Sequence, residues 1–387
     1  MPFPLYLLAL AVFAMGTSEF MLAGLLPDLA ASLDVSVATA GTLTPAFALG
    51  MIVGAPLVAA LARNWPRRTA LLGFVLAFAA SHAVGAVVTN FALLFATRVV
   101  AALANAGFLA VALTTAATLV PSDKKGRALA VLLSGTTVAT IAGVPGGSVL
   151  GALLGWRATF WAVAALCLPA AVGVLVGLPA RPEHAEDGDG AAADLGPELA
   201  QLGKPRLLQV MLLAALVNAA TFGSFTFLAP VVTDSAGLDS RWVPVALMLF
   251  GAGSFVGVTL AGRLSDQRPG QVVATAGPAL LVGWFALALL AERPVVLLTL
   301  VFVQGALSFA VGSTLIARVL YESAAAPTMA GAYATSALNV GATAGPLLAA
   351  TTLGGAAGAL GPLWTSGGLV LVAALLVVAL PLRAVIA

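Results

Sequence analysis

Long apolar runs alternate with short polar breaks along the whole chain. Runs bounded by charges, Pro or Gly fall at roughly 4 to 26, 40 to 61, 69 to 89, 91 to 119, 128 to 154 and 158 to 178. Six more follow at roughly 206 to 232, 243 to 261, 272 to 291, 294 to 317, 330 to 354 and 361 to 382. Each has the roughly 20 residues that an α-helix needs to cross about 30 Å of hydrocarbon. The pattern predicts an all-α integral membrane protein with twelve transmembrane helices. The stretch from Pro179 to about Arg206 breaks the pattern, with Glu183, Glu186, Asp187, Asp189, Asp194 and Glu198 among Gly and Pro residues. It reads as a mobile linker. The expected organisation is a six-helix bundle over 1–178, a linker over 179–205 and a second six-helix bundle over 206–387.

Composition removes the soluble alternative. Of 387 residues 61% are apolar and only 8% charged, against roughly 25% charged in an ordinary soluble domain. The 41 Gly and 22 Pro suit membrane helices better than soluble ones. The first apolar run has no Lys or Arg before Arg63 and contains Glu19, so it reads as a retained helix rather than a signal peptide. Basic residues also orient the chain, because positive loops stay in the cytoplasm. Thirteen of the 17 Lys and Arg fall on one side, Arg157, Arg241 and Arg293 on the other, and Arg98 inside a span. This places both termini and the linker in the cytoplasm, with the protein in the inner (plasma) membrane.

Several chemistries drop out on the same grounds. The net charge of +2 is scattered, so no nucleic-acid footprint forms. Cys167 stands alone and allows no intrachain disulfide. None of the three Lys residues sits in a phosphate-binding G-x-x-x-x-G-K-[ST] context. No His and carboxylate cluster suggests a metal enzyme, and no cofactor is called for.

The halves repeat at an offset of 203, with Gly54 matching Gly257, Pro66 matching Pro269 and Pro27 matching Pro230. Near the same offset, Ala142-Gly143-Val144-Pro145 is similar to Ala344-Gly345-Pro346. Two similar six-helix bundles are the expected architecture of a rocking transporter with its substrate between the halves.

Placing the charges isolates the candidate chemistry. Glu19 lies about seven residues before the outer end of the first span, and Arg98 about seven after the outer start of the fourth. At 1.5 Å per residue both sit roughly 10 Å below the outer hydrocarbon surface, a depth at which they can pair. An ionisable group inside a bilayer is functional by default, and moving an Arg relative to a carboxylate couples conformation to proton binding. A fixed structural ion pair is the plainer alternative. His82 falls at similar depth and suits either proton relay or simple hydrogen bonding.

In the fifth span Gly143, Pro145, Gly146 and Gly147 combine close helix approach with a missing backbone hydrogen bond. This density favours a conformational role. Gly262, Asp266 and Arg268 close the eighth span, where an Asp beside a helix end and neighbouring Arg residues can latch one state. The interior amides Asn105, Asn218, Gln304 and Asn339 each need a partner in a medium without water. Asn218 shares a helical face with Phe222 and Phe225, a mixture suited to a neutral, partly polar aromatic ligand.

These motifs resemble the major facilitator superfamily, specifically its twelve-helix drug:proton antiporters. Arg98 with the small residues up to Gly107 is similar to that family's helix 4 motif, Gly143 to Gly147 to its helix 5 antiporter motif, and Asp266 with its flanks to its loop motif. Thr17-Ser18-Glu19-Phe20 through Pro27, with Ala104-Asn105-Ala106-Gly107-Phe108, most resembles the chloramphenicol-resistance exporters; the sugar-efflux permeases come second. The first-half loop departs from the family by carrying Arg63 where an Asp is usual, which leaves Asp266 as the stronger latch candidate. The resemblance implies that helices 1, 4, 7 and 10 line a central cavity. Glu19, Arg98, Asn105, Asn218 and Gln304 are then near the pathway and His82 is on a peripheral helix. The expected activity is proton-driven export of a small neutral amphipathic drug by a monomer. The alternatives are a sugar or metabolite permease and a polytopic membrane transferase.

Overall fold

The computed structural model describes residues 2–61, 65–121, 125–178, 200–265, 269–326 and 329–379, and among these it contains helices and no strand. The chain divides into two compact units, Met1–Asp189 and Gly190–Ala387. In the first, α1 is Phe3–Phe20, α2 Leu43–Leu61, α3 Arg67–Val87 and α4 Phe91–Thr118. Helix α5 begins as Lys125–Val138, passes through a π turn at Ala139–Gly143 and resumes as Val144–Leu154; α6 is Trp156–Gly177. In the second unit, α7 is Pro205–Thr226, α8 Trp242–Ser265, α9 Pro269–Leu290, α10 Pro294–Glu322, α11 Ala330–Ala350 and α12 Gly361–Ala379.

Local chemistry sets where these helices start and stop. Asn90 caps α4 by accepting from the backbone N–H groups of Ala92 and Leu93 at 2.8 and 3.3 Å. Gly155, at φ +83°, turns the chain between α5 and α6, a conformation that a side chain would strain. The first helix of each unit stops short of its apolar run. α1 ends at Phe20 and tightens into a 3₁₀ turn, Met21–Gly24, while α7 ends at Thr226. Pro230 cannot donate the N–H that would reach the Thr226 carbonyl, and Pro27 stands in the first turn of a new short helix, Leu26–Ser32, where its missing N–H is no loss. Apolar patterning does not register such a break, so the runs 4 to 26 and 206 to 232 overstate the helices.

Among the described residues eleven helices are long and apolar enough to cross a membrane. α11 is as long, at 21 residues, but its Ala, Gly, Thr, Ser and Asn content lowers its hydropathy. Within the first unit α1 packs on α5 and α6, α2 on α4, and α3 on α4 and α6. Within the second unit α7 packs on α11 and α12, α8 on α10, and α9 on α10 and α12. The second set is the first advanced by six helices, so the weak sequence repeat is a repeat of packing.

Glycines make the closest approaches in both units. A Cβ on Gly54 of α2 would lie 3.2 Å from Leu103 Cα of α4, and one on Gly257 of α8 would collide with the Ala306 backbone of α10. Leu103 and Ala306 are themselves 203 positions apart.

Candidate functional site

A buried polar cluster joins three helices of the first unit. Ser18, in the last turn of α1, is fully buried, as are His82 of α3 and Arg98 of α4. Arg98 donates from Nη1 to Ser18 Oγ at 2.7 Å and from Nη2 to the Ser18 carbonyl at 2.9 Å. Its guanidinium also lies over the Phe47 ring of α2, 4.5 Å from the centroid, a contact that strengthens where water is excluded. His82 Nδ1 lies 2.8 Å from the Phe78 carbonyl and Nε2 lies 2.6 Å from Ser18 Oγ. A carbonyl only accepts, so Nδ1 carries the hydrogen. In a ring with one N–H, Nε2 then accepts from the Ser18 hydroxyl.

Glu19 is half-buried beside this cluster and interacts electrostatically with Arg98. No direct ion pair joins them, and Glu19 makes no hydrogen bond among the described residues. The shared depth of Glu19 and Arg98 permits their pairing, and the structure gives them an electrostatic interaction while Ser18 takes the direct hydrogen bonds. Placing His82 on a peripheral helix did not remove it from the cluster either, because α3 packs against α4 and its ring turns inward. Ser18 stands in the Thr17-Ser18-Glu19-Phe20 motif, which by resemblance assigns it no role. Its position one residue before Glu19, at the depth of His82 and Arg98, was the available signal.

The interior amides separate into two kinds. Asn218 Nδ2 donates to the Leu338 carbonyl at 2.6 Å, tying α7 to α11, and Gln304 Nε2 donates to the Leu280 carbonyl at 3.2 Å, tying α10 to α9. Asn339 donates to Thr335 of its own helix at 3.0 Å. Asn105 is buried and makes no hydrogen bond among the described residues, so its whole amide has capacity to spare, whereas Gln304 leaves only its buried Oε1 without a partner. Phe222 and Phe225 stack edge to face at 6.3 Å, and Phe225 continues to Phe250 at 4.9 Å. Phe225, Phe250, Trp284 and Gln304 border a cavity of about 10 Å³, room for roughly one water-sized group. A cavity of about 480 Å³ lies among α7, α9, α10 and α12 and contains none of the candidate residues. Leu, Val, Ala, Gly and Pro line it throughout, a surface for hydrocarbon rather than for a ligand with hydroxyls.

In α5 the glycines do different work. A Cβ on Gly143 would collide with Thr17 Oγ1, and one on Gly147 would meet Thr159 Cγ2 at 3.1 Å. Gly146 is exposed and has open space around its Cα, so packing does not explain it. Pro145 stands in the first turn of the segment that resumes after the π turn, a position that tolerates its missing N–H. Gly262 falls in the last turn of α8, whereas Asp266 and Arg268 lie outside the described residues.

Two repeated units of apolar helices, with a charged cluster buried inside one of them, have the build of a polytopic membrane transporter. The chain belongs to the Major Facilitator Superfamily, whose model matches residues 8–336. It is 75% identical to the chloramphenicol resistance protein of Streptomyces lividans, over all of this chain and 97% of that one. It is 32% identical to the inner membrane transport protein YdhP of Escherichia coli K12, over 88% of this chain and 86% of that one. Among solved structures, a bacterial homolog of the human lysosomal transporter Spinster, inward-facing and unoccupied, matches with a TM-score of 0.73 at 17% identity, covering 98% of this chain and 95% of that one. The nucleoside transporter NupG matches with a TM-score of 0.75 at 15% identity, covering 97% and 98%. These structural likenesses carry the fold alone.

Proposed function

We propose that the protein is a proton-coupled antiporter that exports chloramphenicol, or a close relative of similar size and polarity, by alternating access of its two halves. The observation that carries this reading is the 75% identity, end to end, with a chloramphenicol resistance protein. Glu19 binds and releases the coupled proton, and Arg98 is the charge whose contact with it changes during the cycle. Asn105, Asn218, Phe222, Phe225, Gln304 and Asn339 are the candidate substrate contacts, with Asn105 the best placed because its amide makes no hydrogen bond among the described residues. Both termini and the 179–205 linker lie in the cytoplasm, as the basic residues favour, and the working unit is a monomer.

The energetics suffice without ATP. Entry of one proton at a potential of about 150 mV releases roughly 3.5 kcal/mol. Exchange for one neutral molecule then supports a gradient of roughly a few hundred-fold, since about 1.4 kcal/mol is a factor of ten. The deciding experiment measures accumulation of labelled chloramphenicol in cells with and without the protein, before and after the proton gradient is collapsed. Reduced accumulation that the collapse restores is the expected result. Equal accumulation in all four conditions rejects the proposal.

A further inference from the structure

Arg98 is under-bonded for its position. A guanidinium offers five N–H donors, yet among the described residues only the two hydrogen bonds to Ser18 are made, and its buried Nε has no partner. Spare donor capacity buried at this depth is costly unless another state of the protein uses it. Glu19, the next residue to Ser18, is the acceptor within the cluster that is itself without a hydrogen bond. Ser18 is the junction: it has one hydrogen to give and lone pairs to receive, and His82 Nε2 takes that hydrogen, which leaves the lone pairs for Arg98.

We propose that His82 is a positioning residue for proton coupling: by accepting the Ser18 hydroxyl hydrogen it docks Arg98 on Ser18 and keeps the guanidinium off Glu19 until Glu19 gives up its proton. This rests on the proton-coupled reading above. When the Glu19 carboxyl loses its proton, the carboxylate becomes the better acceptor and Arg98 moves from Ser18 to it. Reprotonation returns Arg98 to the docked position. Few other titratable groups can enter this exchange. α2 presents Phe47 and no ionisable residue, and α5 has Lys125 and Arg127 only in its first turn. α6 brings Cys167, and its Arg157 is engaged at the outer end with Ser32 Oγ at 3.0 Å and the Val88 carbonyl at 3.2 Å.

The test is drug-induced proton release from the purified full-length protein, followed across pH, with drug binding measured alongside. His82→Phe keeps a ring stacked between Phe78 and Phe160, whose centroids lie 4.3 and 5.6 Å from that of His82, but removes the acceptor. With Arg98 freed to reach Glu19, the release profile is expected to move by about one unit toward lower pH, while drug affinity changes less than about twofold. His82→Gln, whose carbonyl can reach toward the place of Nε2, is expected to keep the wild-type profile. Ser18→Ala removes the junction itself and is expected to reproduce the His82→Phe shift, which gives a second reading should that variant fold poorly. A wild-type profile in a folded His82→Phe or Ser18→Ala protein overturns the inference and leaves the coupled reading intact. Absence of drug-induced release from the wild type overturns both.

Discussion

Ser18 takes up two of the donors of an arginine that the membrane would otherwise penalise, and that exchange explains why the cluster forms around a hydroxyl rather than a carboxylate. In hydrocarbon a buried cation must be bonded or paired, and Ser18 supplies both a side-chain and a main-chain acceptor from the end of α1, where the helix breaks. Glu19 is thereby left without a hydrogen bond among the described residues. Glu19→Gln is expected to abolish uphill export while keeping most substrate binding, measured as accumulation against a proton gradient beside equilibrium binding; full proton-driven transport in that variant removes Glu19 from the mechanism. The amides give a contrasting pair. Asn218→Leu breaks the bond from α7 to α11 and is expected to cost about 0.6–1.7 kcal/mol, read as a lower thermal midpoint in detergent. Asn105→Ala, which breaks no bond, is expected to leave that midpoint unchanged and to weaken drug binding.

Outside the spans, Asp239 accepts from the backbone and the side chain of Arg241, and its carboxyl is held below the ordinary range, first by the backbone N–H and then by the guanidinium. A depressed carboxylate stabilises the fold above its ordinary value, and the benefit fades as pH falls through the lowered one. Both side chains are mostly exposed, at 81% for Arg241 and 54% for Asp239, so salt and water screen the pair.

Between single residues and the whole chain, the informative features are the interruptions within helices. The break after Phe20 ends α1 one residue past Glu19, and the π turn at Ala139–Gly143 places Gly143 against Thr17 on the same helix. α1 is therefore irregular where the candidate chemistry sits and regular elsewhere. Pro145→Ala would let α5 regain a continuous ladder, and export is expected to fall with the protein still folded and still binding drug. The crossing glycines report on assembly instead. Gly257→Val drives a side chain into the backbone of α10 and is expected to cost about 1–3 kcal/mol by overpacking, seen as a lower thermal midpoint or loss of folded protein.

At the scale of the molecule, symmetric packing carries asymmetric chemistry. Advancing Ser18, Glu19, His82 and Arg98 by 203 positions lands on Thr221, Phe222, Phe285 and Val301. Phe47 lands on Phe250, so the aromatic wall is kept while every titratable group is lost. The same bundle is built twice, and the positions of Glu19, His82 and Arg98 have no titratable counterpart in the second copy. The acidic residues of 179–199 fall between the apolar runs of the sequence, so replacing Glu186, Asp187 and Asp189 together with Ser is expected to leave export within about twofold. A large loss in that variant would point back to the transferase alternative.

The one-dimensional pattern determined the membrane class, the number of spans, the internal repeat and the two charged residues deep in hydrocarbon. Each of these follows from the cost of moving a given side chain or backbone group out of water, which depends on residue type and run length alone. Which acceptor Arg98 uses, that His82 turns inward, that Asn218 and Gln304 are bound to neighbouring helices while Asn105 is not, and where α1 breaks were decided by tertiary structure. Those outcomes depend on helix rotation and contact across 24 to 120 positions of sequence. Rotation is set by how small residues let neighbouring helices approach, a property of pairs of helices that no single stretch of sequence contains.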